Sequence, residues 1–208
     1  RQPGSTMKPF TYLATFERPE NWWTPATVID DVRTEFDDGP GRPPYVPNNY
    51  DGKEHGRVSM RTALANSYNI PAVKALQSVG VDALLHVAER FGMTTLTEPG
   101  HPLYGLSLTL GGGEVTLLEM TSAYGALANG GVAARPTTIL CVLDATGSVL
   151  ERLEVPDLPA ACRDAPVNAS SLIQQPQQQR AASAQHAYLL TDILKDNEAR
   201  TPTFGANS

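Results

Sequence analysis

The sequence predicts an α+β fold in which helices dominate. Three observations support this prediction. Several stretches carry apolar residues at helical spacing and begin or end at capping residues. One stretch alone, 138–153, has a clear strand–turn–strand pattern. Finally, 41% of the 208 residues are hydrophobic and 18% are charged, which is typical of a globular chain long enough to bury a core.

Charge and composition argue against several function classes. The net charge is −6 and there is no strong basic cluster, so nucleic acid is not an expected partner. No apolar run reaches the length of a membrane span, and no signal peptide opens the chain. The chain begins at Arg1 rather than at methionine. We therefore expect it to be part of a longer protein.

Neither histidines nor cysteines show the spacing of metal ligands, so the sequence predicts no metal site. Cys141 and Cys162 have no Cys-x-x-Cys spacing, and two unpaired thiols are favoured over a disulfide. The Gly111–Gly113 run lacks the Lys-Ser/Thr of a phosphate loop and is interpreted as a turn.

The first predicted helix begins next to Ser5. Pro3-Gly4 favours a turn, and Ser5 follows as an N-cap before apolar residues at helical spacing. Lys8 comes three residues later, which places its ammonium one turn along on the same face. Because burial lowers the pKa of a lysine, this pair is a candidate nucleophile with its base. An N-cap serine before a solvated lysine is the simpler interpretation of the spacing alone.

Helical order returns after an irregular segment. Residues 18–48 are rich in Pro, Gly and Asp, with a short extended piece at 27–29. The helices predicted beyond it are 60–66 after the cap Ser59, 72–79 with Pro71 at its start, 82–91 before Gly92, and one from 117, where Thr116 and Glu119 form a capping box.

The last third of the chain predicts a hairpin, a loop and a helix. Segments 138–143 and 148–153 flank turn residues 144–147 and predict a β-hairpin. Residues 156–180 are rich in Pro, Ala and Gln and predict a mobile surface loop. Ser183 caps a final predicted helix over 184–196.

A second group of polar residues lies between two predicted helices. In a tight turn, residues two apart point the same way, so we expect Ser67 and Asn69 to face one cleft while Tyr68 faces elsewhere. A hydroxyl there can relay a proton, and an amide can both donate to and accept from a peptide substrate. Local turn capping is the commoner role of such residues.

Blocks of sequence around both groups carry a family resemblance. They are Arg1–Phe10, Pro47–Gly52, Gly56–Val73, Leu110–Thr116, Ala123–Gly131 and Phe204–Ser208. In this order they resemble the transpeptidase domain of class A (bifunctional) penicillin-binding proteins, within the penicillin-binding and serine β-lactamase-like superfamily. The resemblance is dense from Arg1 to Pro136 and patchy beyond it.

The resemblance assigns roles to four residues. Ser5 corresponds to the nucleophile, Lys8 to its base, Ser67 to a catalytic serine that relays a proton, and Asn69 to the substrate-binding amide. The third motif of the family, Lys-Thr-Gly, occurs nowhere in the 208 residues. We therefore expect residues 1–208 to be a partial transpeptidase domain: the helix-rich part of a β-lactamase/transpeptidase-like fold, with a β-hairpin and without most of the central sheet.

The implied activity is D,D-transpeptidation, which cross-links peptidoglycan stem peptides through a serine acyl-enzyme and is inhibited by β-lactams. It needs no cofactor. The implied partners are the D-Ala-D-Ala donor peptide, β-lactam antibiotics and a glycosyltransferase domain in the longer protein, at the extracytoplasmic face of the bacterial cytoplasmic membrane. Without the third motif, the 208-residue chain itself is expected to be inactive.

Two alternatives remain open. A serine β-lactamase shares the fold and the Ser-x-x-Lys motif, although the Glu-x-x-Leu-Asn loop of the penicillinase type is absent. A non-catalytic module of the same fold would bind wall peptide or a protein partner. The presence of Ser5, Lys8, Ser67 and Asn69 together argues against that module.

Overall fold

A computed structural model describes residues 1–20, 23–37, 43–99, 103–153, 155, 158–166, 172–173 and 178–207. The chain divides into two units. The larger unit contains Arg1–Ala133 and Arg180–Ser208, and the smaller unit contains Ala134–Gln179.

Helices dominate the larger unit, as expected. They are α1 (Lys8–Phe16), α2 (Met60–Ala65), α3 (Asn69–Val79), α4 (Val81–Arg90), α5 (Leu117–Ala128), α7 (Ala184–Leu194) and α8 (Asn197–Phe204). The smaller unit contains α6 (Ala160–Arg163). Short 3-10 helices cover Gly4–Met7, Thr94–Leu96 and Leu106–Leu110. No helix among the described residues is both long and apolar enough to cross a membrane.

The larger unit is built around α1, every residue of which is buried. A helix buried on all faces lies inside a core rather than on its surface. It packs against α3, α4 and α7. The Phe10 ring meets the rings of Phe91 and Tyr124 edge-on, with centroids 5.2 and 5.6 Å away. These contacts on several sides fix the N-terminal end of α1 in place.

The capped helices lie where the sequence predicts them. Ser59, Thr116 and Ser183 each accept a hydrogen bond from the backbone N–H three residues on, and Thr116 completes its capping box with Glu119. α3 begins earlier than predicted, at Asn69. Asn69 is therefore a helical residue.

Sequence patterns do not predict α8, because Pro202 lies inside it and few of its residues are apolar. Asp196 caps this helix by accepting from Ala199 N. The buried Asn66, directly after α2, donates to the Ala199 carbonyl and accepts from Thr203 N. These bonds tie α8 to α2.

The described strands form three small sheets. In the larger unit β1 (Val28–Asp31) pairs antiparallel with β2 (Gly56–Ser59). β3 (Val132–Ala133) pairs with β7 (Gln179–Arg180). The third sheet has the order β4 (Cys141–Leu143), β5 (Val149–Leu153), β6 (Leu172–Ile173). A helix-rich α+β fold without a large central sheet is thus confirmed for these residues.

The expectation that the hairpin is the one clear sheet element is wrong. β1 and β2 pair between distant parts of the chain, from Val28↔Ser59 to Asp31↔Gly56. Local patterns do not reveal such a pairing, because neither strand has its partner nearby in sequence.

The smaller unit contains the predicted hairpin, formed by β4 and β5. In its turn, Asp144 Oδ1 accepts from the N–H groups of Thr146 (2.8 Å) and Ser148 (2.9 Å). The preference for unpaired cysteines is wrong, since Cys141 and Cys162 form a disulfide. α6 brings Cys162 to β4 with the two Cα atoms 6.0 Å apart, within the range that a disulfide requires.

The segment 156–180, predicted to be a mobile loop, includes short regular elements where it is described. These are α6, β6 and β7. Gln174–Gln177, part of the glutamine run on which the prediction depends, lie outside the described residues. Mobility of this segment stays a prediction.

Candidate active site

Ser5 lies on the 3-10 turn Gly4–Met7, directly before α1, and is exposed. Its expected position at the start of the first helix is confirmed. Its expected role as an N-cap is wrong, because neither this turn nor α1 has a side-chain capping bond. Thr6 instead bonds locally, its hydroxyl donating to the Pro3 carbonyl at 2.7 Å.

The glycine run contacts this turn. Gly111 ends the 3-10 helix Leu106–Leu110 in a left-handed conformation, with φ +88°. A Cβ at Gly111 would lie 2.2 Å from Gly4 N, so only glycine allows the two backbones to approach so closely. The run is a turn, as predicted, and it also supports the backbone that carries Ser5.

Lys8, the first residue of α1, is 1% exposed. Its Nζ donates to the Ser67 carbonyl (2.5 Å), to Ser67 Oγ (3.0 Å) and to Asn69 Oδ1 (2.6 Å). Burial lowers the pKa of Lys8 from 10.5 to about 7. Near neutral pH, the neutral amine is therefore a substantial part of its population.

Ser67 has a strained backbone. Among the described residues it alone, apart from glycines, has a positive φ, of 57°. It follows α2 in a Schellman motif, in which Ser67 N donates to Leu64 O (3.0 Å) and Tyr68 N donates to Ala63 O (2.9 Å). Glycine usually takes this position, because a side chain in a left-handed conformation costs about 1–2 kcal/mol. In this conformation the carbonyl oxygen and the hydroxyl oxygen of Ser67 both accept hydrogen bonds from Lys8 Nζ.

Asn69 has a fixed amide orientation. Its Oδ1 accepts from Lys8, and its Nδ2 donates to the Asn48 carbonyl at 2.6 Å. Tyr68 points elsewhere and stacks on His55, with ring centroids 3.8 Å apart. Ser67 and Asn69 thus both bond Lys8 while Tyr68 points elsewhere, but of the two only Ser67 lines the pocket described next, so the expectation of one shared cleft is met in part.

A pocket of about 330 Å³ brings these groups together. Ser5, Lys8 and Ser67 all line it, while Asn69 reaches it through Lys8. The other lining residues are Thr6, Pro9, Leu64, Ala65, Tyr124, Leu194, Arg200 and Phe204. A second pocket of about 610 Å³, lined by Arg1, Glu98 and Tyr104 among others, has neither a serine nor a lysine among its lining residues.

Sequence patterns miss several residues at this site. Tyr124 donates from its hydroxyl to the Thr6 carbonyl at 3.0 Å, and burial raises the pKa of Tyr124 to about 12. It supports the turn beside Ser5 as a neutral donor. Arg200 and Phe204 line the pocket from α8, a helix that the sequence does not predict.

A metal centre is not evident in the described part of the chain. There, no group of three or more His, Cys, Asp or Glu side chains is arranged to bind a metal ion.

Comparison with known proteins identifies the family. Residues 1–207 match the penicillin-binding protein transpeptidase domain. The chain belongs to this family. The resemblance inferred from the ordered sequence blocks is thereby confirmed.

Curated relatives of this transpeptidase chain are much longer than it is. Penicillin-binding protein 1A of Rickettsia bellii is 38% identical over 152 residues, which cover 73% of this chain and 18% of that protein. Penicillin-binding protein 1A of Aquifex aeolicus is 39% identical over 151 residues, covering 73% of this chain and 20% of that protein. The chain spans about a fifth of the length of these relatives.

Solved structures of penicillin-binding proteins share the fold. The crystal structure of penicillin-binding protein 1A from Haemophilus influenzae matches with a TM-score of 0.73 and 29% identity, covering 94% of this chain and 29% of that one. Penicillin-binding protein A from M. tuberculosis, solved as an imipenem acyl-enzyme complex, matches with a TM-score of 0.70 and 22% identity, covering 98% of this chain and 44% of that one. The second likeness is one of fold alone.

Proposed function

We propose that the protein is a serine-type D,D-transpeptidase that cross-links peptidoglycan stem peptides. The observation that carries this proposal is the environment of Lys8. It is a buried lysine with its pKa lowered to about 7, bonded to Ser67 and Asn69, in a pocket that Ser5 also lines. A neutral amine that lines the same pocket as a serine hydroxyl can serve as the general base that such a nucleophile requires.

The first half-reaction forms an acyl-enzyme. Ser5 Oγ attacks the carbonyl of the D-Ala-D-Ala peptide bond, and Lys8 takes the hydroxyl proton. The tetrahedral intermediate then collapses, the C–N bond breaks, and Lys8 with Ser67 returns a proton to the amine of the departing D-Ala. The N-terminus of α1, which begins three residues after Ser5, favours the negative charge that develops at the carbonyl oxygen.

The second half-reaction forms the cross-link. An amine of a neighbouring stem peptide attacks the ester on Ser5, its proton passes to Lys8, and the Ser5 hydroxyl is restored as the new amide bond forms. The amide of Asn69 contributes a donor and an acceptor for the donor peptide. A β-lactam mimics that peptide and leaves a slowly hydrolysed ester on Ser5. No step requires a cofactor.

The activity belongs to a longer protein, because the chain spans only about a fifth of its curated relatives. We expect that protein to carry a Lys-Thr-Gly strand and a glycosyltransferase domain, and to act at the extracytoplasmic face of the bacterial cytoplasmic membrane. The disulfide between Cys141 and Cys162 supports this location, because structural disulfides persist in oxidising compartments.

The test supplies the full-length protein with a peptide ending in D-Ala-D-Ala and an acceptor amine. Free D-Ala and the cross-linked product are measured by mass spectrometry. We expect both products, and neither after Ser5→Ala. Ser183→Ala is the matched control, since Ser183 caps α7, does not line the pocket and should not affect the reaction.

Two outcomes would contradict the proposal. Release of D-Ala with no incorporation of the acceptor amine would indicate a hydrolase, as in the β-lactamase alternative. Peptide binding without any release of D-Ala would indicate a non-catalytic binding module.

A further inference from the structure

A second polar cluster contacts Tyr68 and Asn69, and none of the catalytic steps proposed above uses it. It consists of Asp31, Asn49 and His55, called here the Asn49 cluster. Asp31 is fully buried and Asn49 is 6% exposed. Burying a carboxylate and an amide is costly unless their hydrogen bonds are made. The partners of this cluster therefore indicate what it does.

Asn49 uses both ends of its amide. Its Nδ2 donates to the two carboxylate oxygens of Asp31 (2.9 and 2.8 Å) and to the Lys53 carbonyl (2.8 Å). Its Oδ1 accepts from Asn69 N at 2.7 Å. Tyr68, the N-cap residue of α3, makes no side-chain capping bond. A distant side chain therefore satisfies the first N–H of α3.

Asp31 and His55 fix the orientation of Asn49. Asp31 Oδ2 accepts from the His55 backbone N (3.2 Å) and lies 2.5 Å from His55 Nδ1. The His55 ring also stacks on Tyr68, with the ring planes 8° apart. The cluster thus contacts both residues that follow Ser67.

The cluster also acts on Lys8, through Asn69. The Asn69 amide is bonded at one end to the carbonyl of Asn48, the neighbour of Asn49, and at the other end to Lys8 Nζ. Two neighbouring residues, Asn48 and Asn49, therefore hold Asn69. The Asn49 side chain bonds the Asn69 backbone, and the Asn48 carbonyl bonds the Asn69 side chain. If these two residues moved, the Asn69 amide would be free to rotate and Lys8 would lose an acceptor.

We propose that Asn49, oriented by Asp31 and His55, is a positioning residue for acyl transfer: it fixes the Asn69 amide and, through it, the amine of Lys8. This inference rests on the function proposed above. Asn49 touches none of the reacting groups, so it acts on the rate only through Asn69 and Lys8. A small misplacement of catalytic groups lowers a reaction rate by as much as about 10²-fold.

The test measures acylation of the full-length protein by a fluorescent penicillin, at saturating concentration. Each time course gives a rate constant and an amplitude. We expect Asn49→Ala to lower the rate constant about 10- to 100-fold. A merely structural role would lower the amplitude, because fewer molecules are folded, and would leave the rate constant of the folded molecules unchanged.

The matched control is Asn129→Ala. Asn129 follows α5, and its amide donates to the Val132 carbonyl at 3.1 Å, outside the pocket. This variant also loses one asparagine side chain and its hydrogen bond. We expect its rate constant to equal that of the unmodified protein.

A pair of exchanges keeps the test decisive if Asn49→Ala folds poorly. Asp31→Asn leaves two amides facing each other and Asn49→Asp leaves two carboxylates, so each exchange disrupts the amide–carboxylate pair. Each should lower the rate constant. Together they restore the pair with its polarity reversed, and the carboxylate that Asn49→Asp introduces can still accept from Asn69 N. It cannot donate to the Lys53 carbonyl as the Asn49 amide does, so we expect the double variant to recover only part of the lost rate and to react faster than the slower single variant.

The outcomes separate this inference from the proposed function. If the unmodified protein is acylated at Ser5 and Asn49→Ala reacts at the same rate constant, the inference is wrong while the proposed function stands. A double variant that reacts no faster than the slower single variant also overturns it. If the unmodified protein is not acylated at all, the proposed function fails, and the inference fails with it.

Discussion

At the scale of single residues, Lys8 connects the fold to the chemistry. The same burial that lowers its pKa to about 7 also means that the protonated side chain lowers the free energy of unfolding. Below about pH 7, the folded and unfolded chains both carry this proton, and the full cost is present. Between about pH 7 and 10.5 the unfolded chain binds a proton that the folded chain lacks, so stability should rise with pH.

The first prediction concerns pH. If neutral Lys8 is the base, the rate of acylation by penicillin should rise through about pH 7 to a plateau. At one pH unit below that pKa, the rate should be about tenfold below the plateau. Stopped-flow measurements on the full-length protein would check this. Lys8→Arg, which stays protonated, should lose about 10²-fold or more, whereas Lys74→Arg should react normally. A flat profile from pH 5 to 9 would exclude Lys8 as the base.

The second prediction separates strain from chemistry at Ser67. Ser67→Gly removes the side chain from a left-handed position and should stabilise the fold by about 1 kcal/mol, while it slows acylation through loss of the hydroxyl. Ser67→Ala loses the same hydroxyl without relief of the strain. Thermal unfolding and acylation rates of both variants would test this. Equal melting temperatures would show that the conformation of Ser67 stores no strain.

Part of the site was predictable from the residues alone, because its chemistry is encoded by short spacings. Ser5 with Lys8, and Ser67 with Asn69, are pairs whose shared faces follow from helix and turn geometry. The left-handed backbone of Ser67 was not predictable, because serine gives no signal for it. Asn49 lies in a block that the resemblance includes, but its contact with Asn69 depends on the tertiary fold.

At the scale of elements, the position of Ser5 depends on a turn from elsewhere in the chain. α1 is buried on every side, and Gly111 packs directly against Gly4 in the turn before it. Val115 N also donates to the Arg1 carbonyl at 3.0 Å. Ser5 is thus placed by a close approach between two backbones as well as by the helix that follows it.

The third prediction tests this contact. In Gly111→Ala the new Cβ would lie 2.2 Å from Gly4 N, so the turn that carries Ser5 must shift. We expect a loss of stability of about 1–3 kcal/mol and a lower acylation rate. Gly125→Ala is the matched control, because nothing lies within 4 Å of its Cβ position in α5. It should stabilise the fold by about 0.5–1 kcal/mol. Unchanged acylation in Gly111→Ala would show that the contact does not position Ser5.

Elements with local signals were predictable, and those with distant partners were not. The helices that follow Ser59, Thr116 and Ser183 are encoded by caps within a few residues. The β1–β2 pair and the disulfide join positions far apart in sequence, and α8 is tied to α2 through Asn66 despite Pro202 in its interior. No local sequence pattern predicts any of these contacts.

At the scale of the whole molecule, the candidate site is made by one of the two units. Every residue that lines its pocket belongs to Arg1–Ala133 or Arg180–Ser208. In the proposed function, these residues supply a nucleophile, a base and a proton relay. The sequence of 208 residues contains no Lys-Thr-Gly element. We expect the proposed activity to depend on such an element in a longer protein.

The fourth prediction concerns the 208-residue chain by itself. An attacked carbonyl there would lack the oxyanion donor of the third motif, and loss of one such donor costs about 10²–10³ in rate. We expect the isolated chain to react with a fluorescent penicillin at least 10²-fold more slowly than the full-length protein. Circular dichroism of the isolated chain would check that its helices have formed. Equally rapid labelling of the isolated chain would show that the missing strand is not required.

The central claim is that Ser5 is the nucleophile. The most direct test incubates the full-length protein with a fluorescent penicillin and locates the adduct by peptide mass spectrometry. We predict one adduct per molecule, on the peptide that contains Ser5, and no adduct after Ser5→Ala. An adduct on another residue, or labelling that survives Ser5→Ala, would contradict the account.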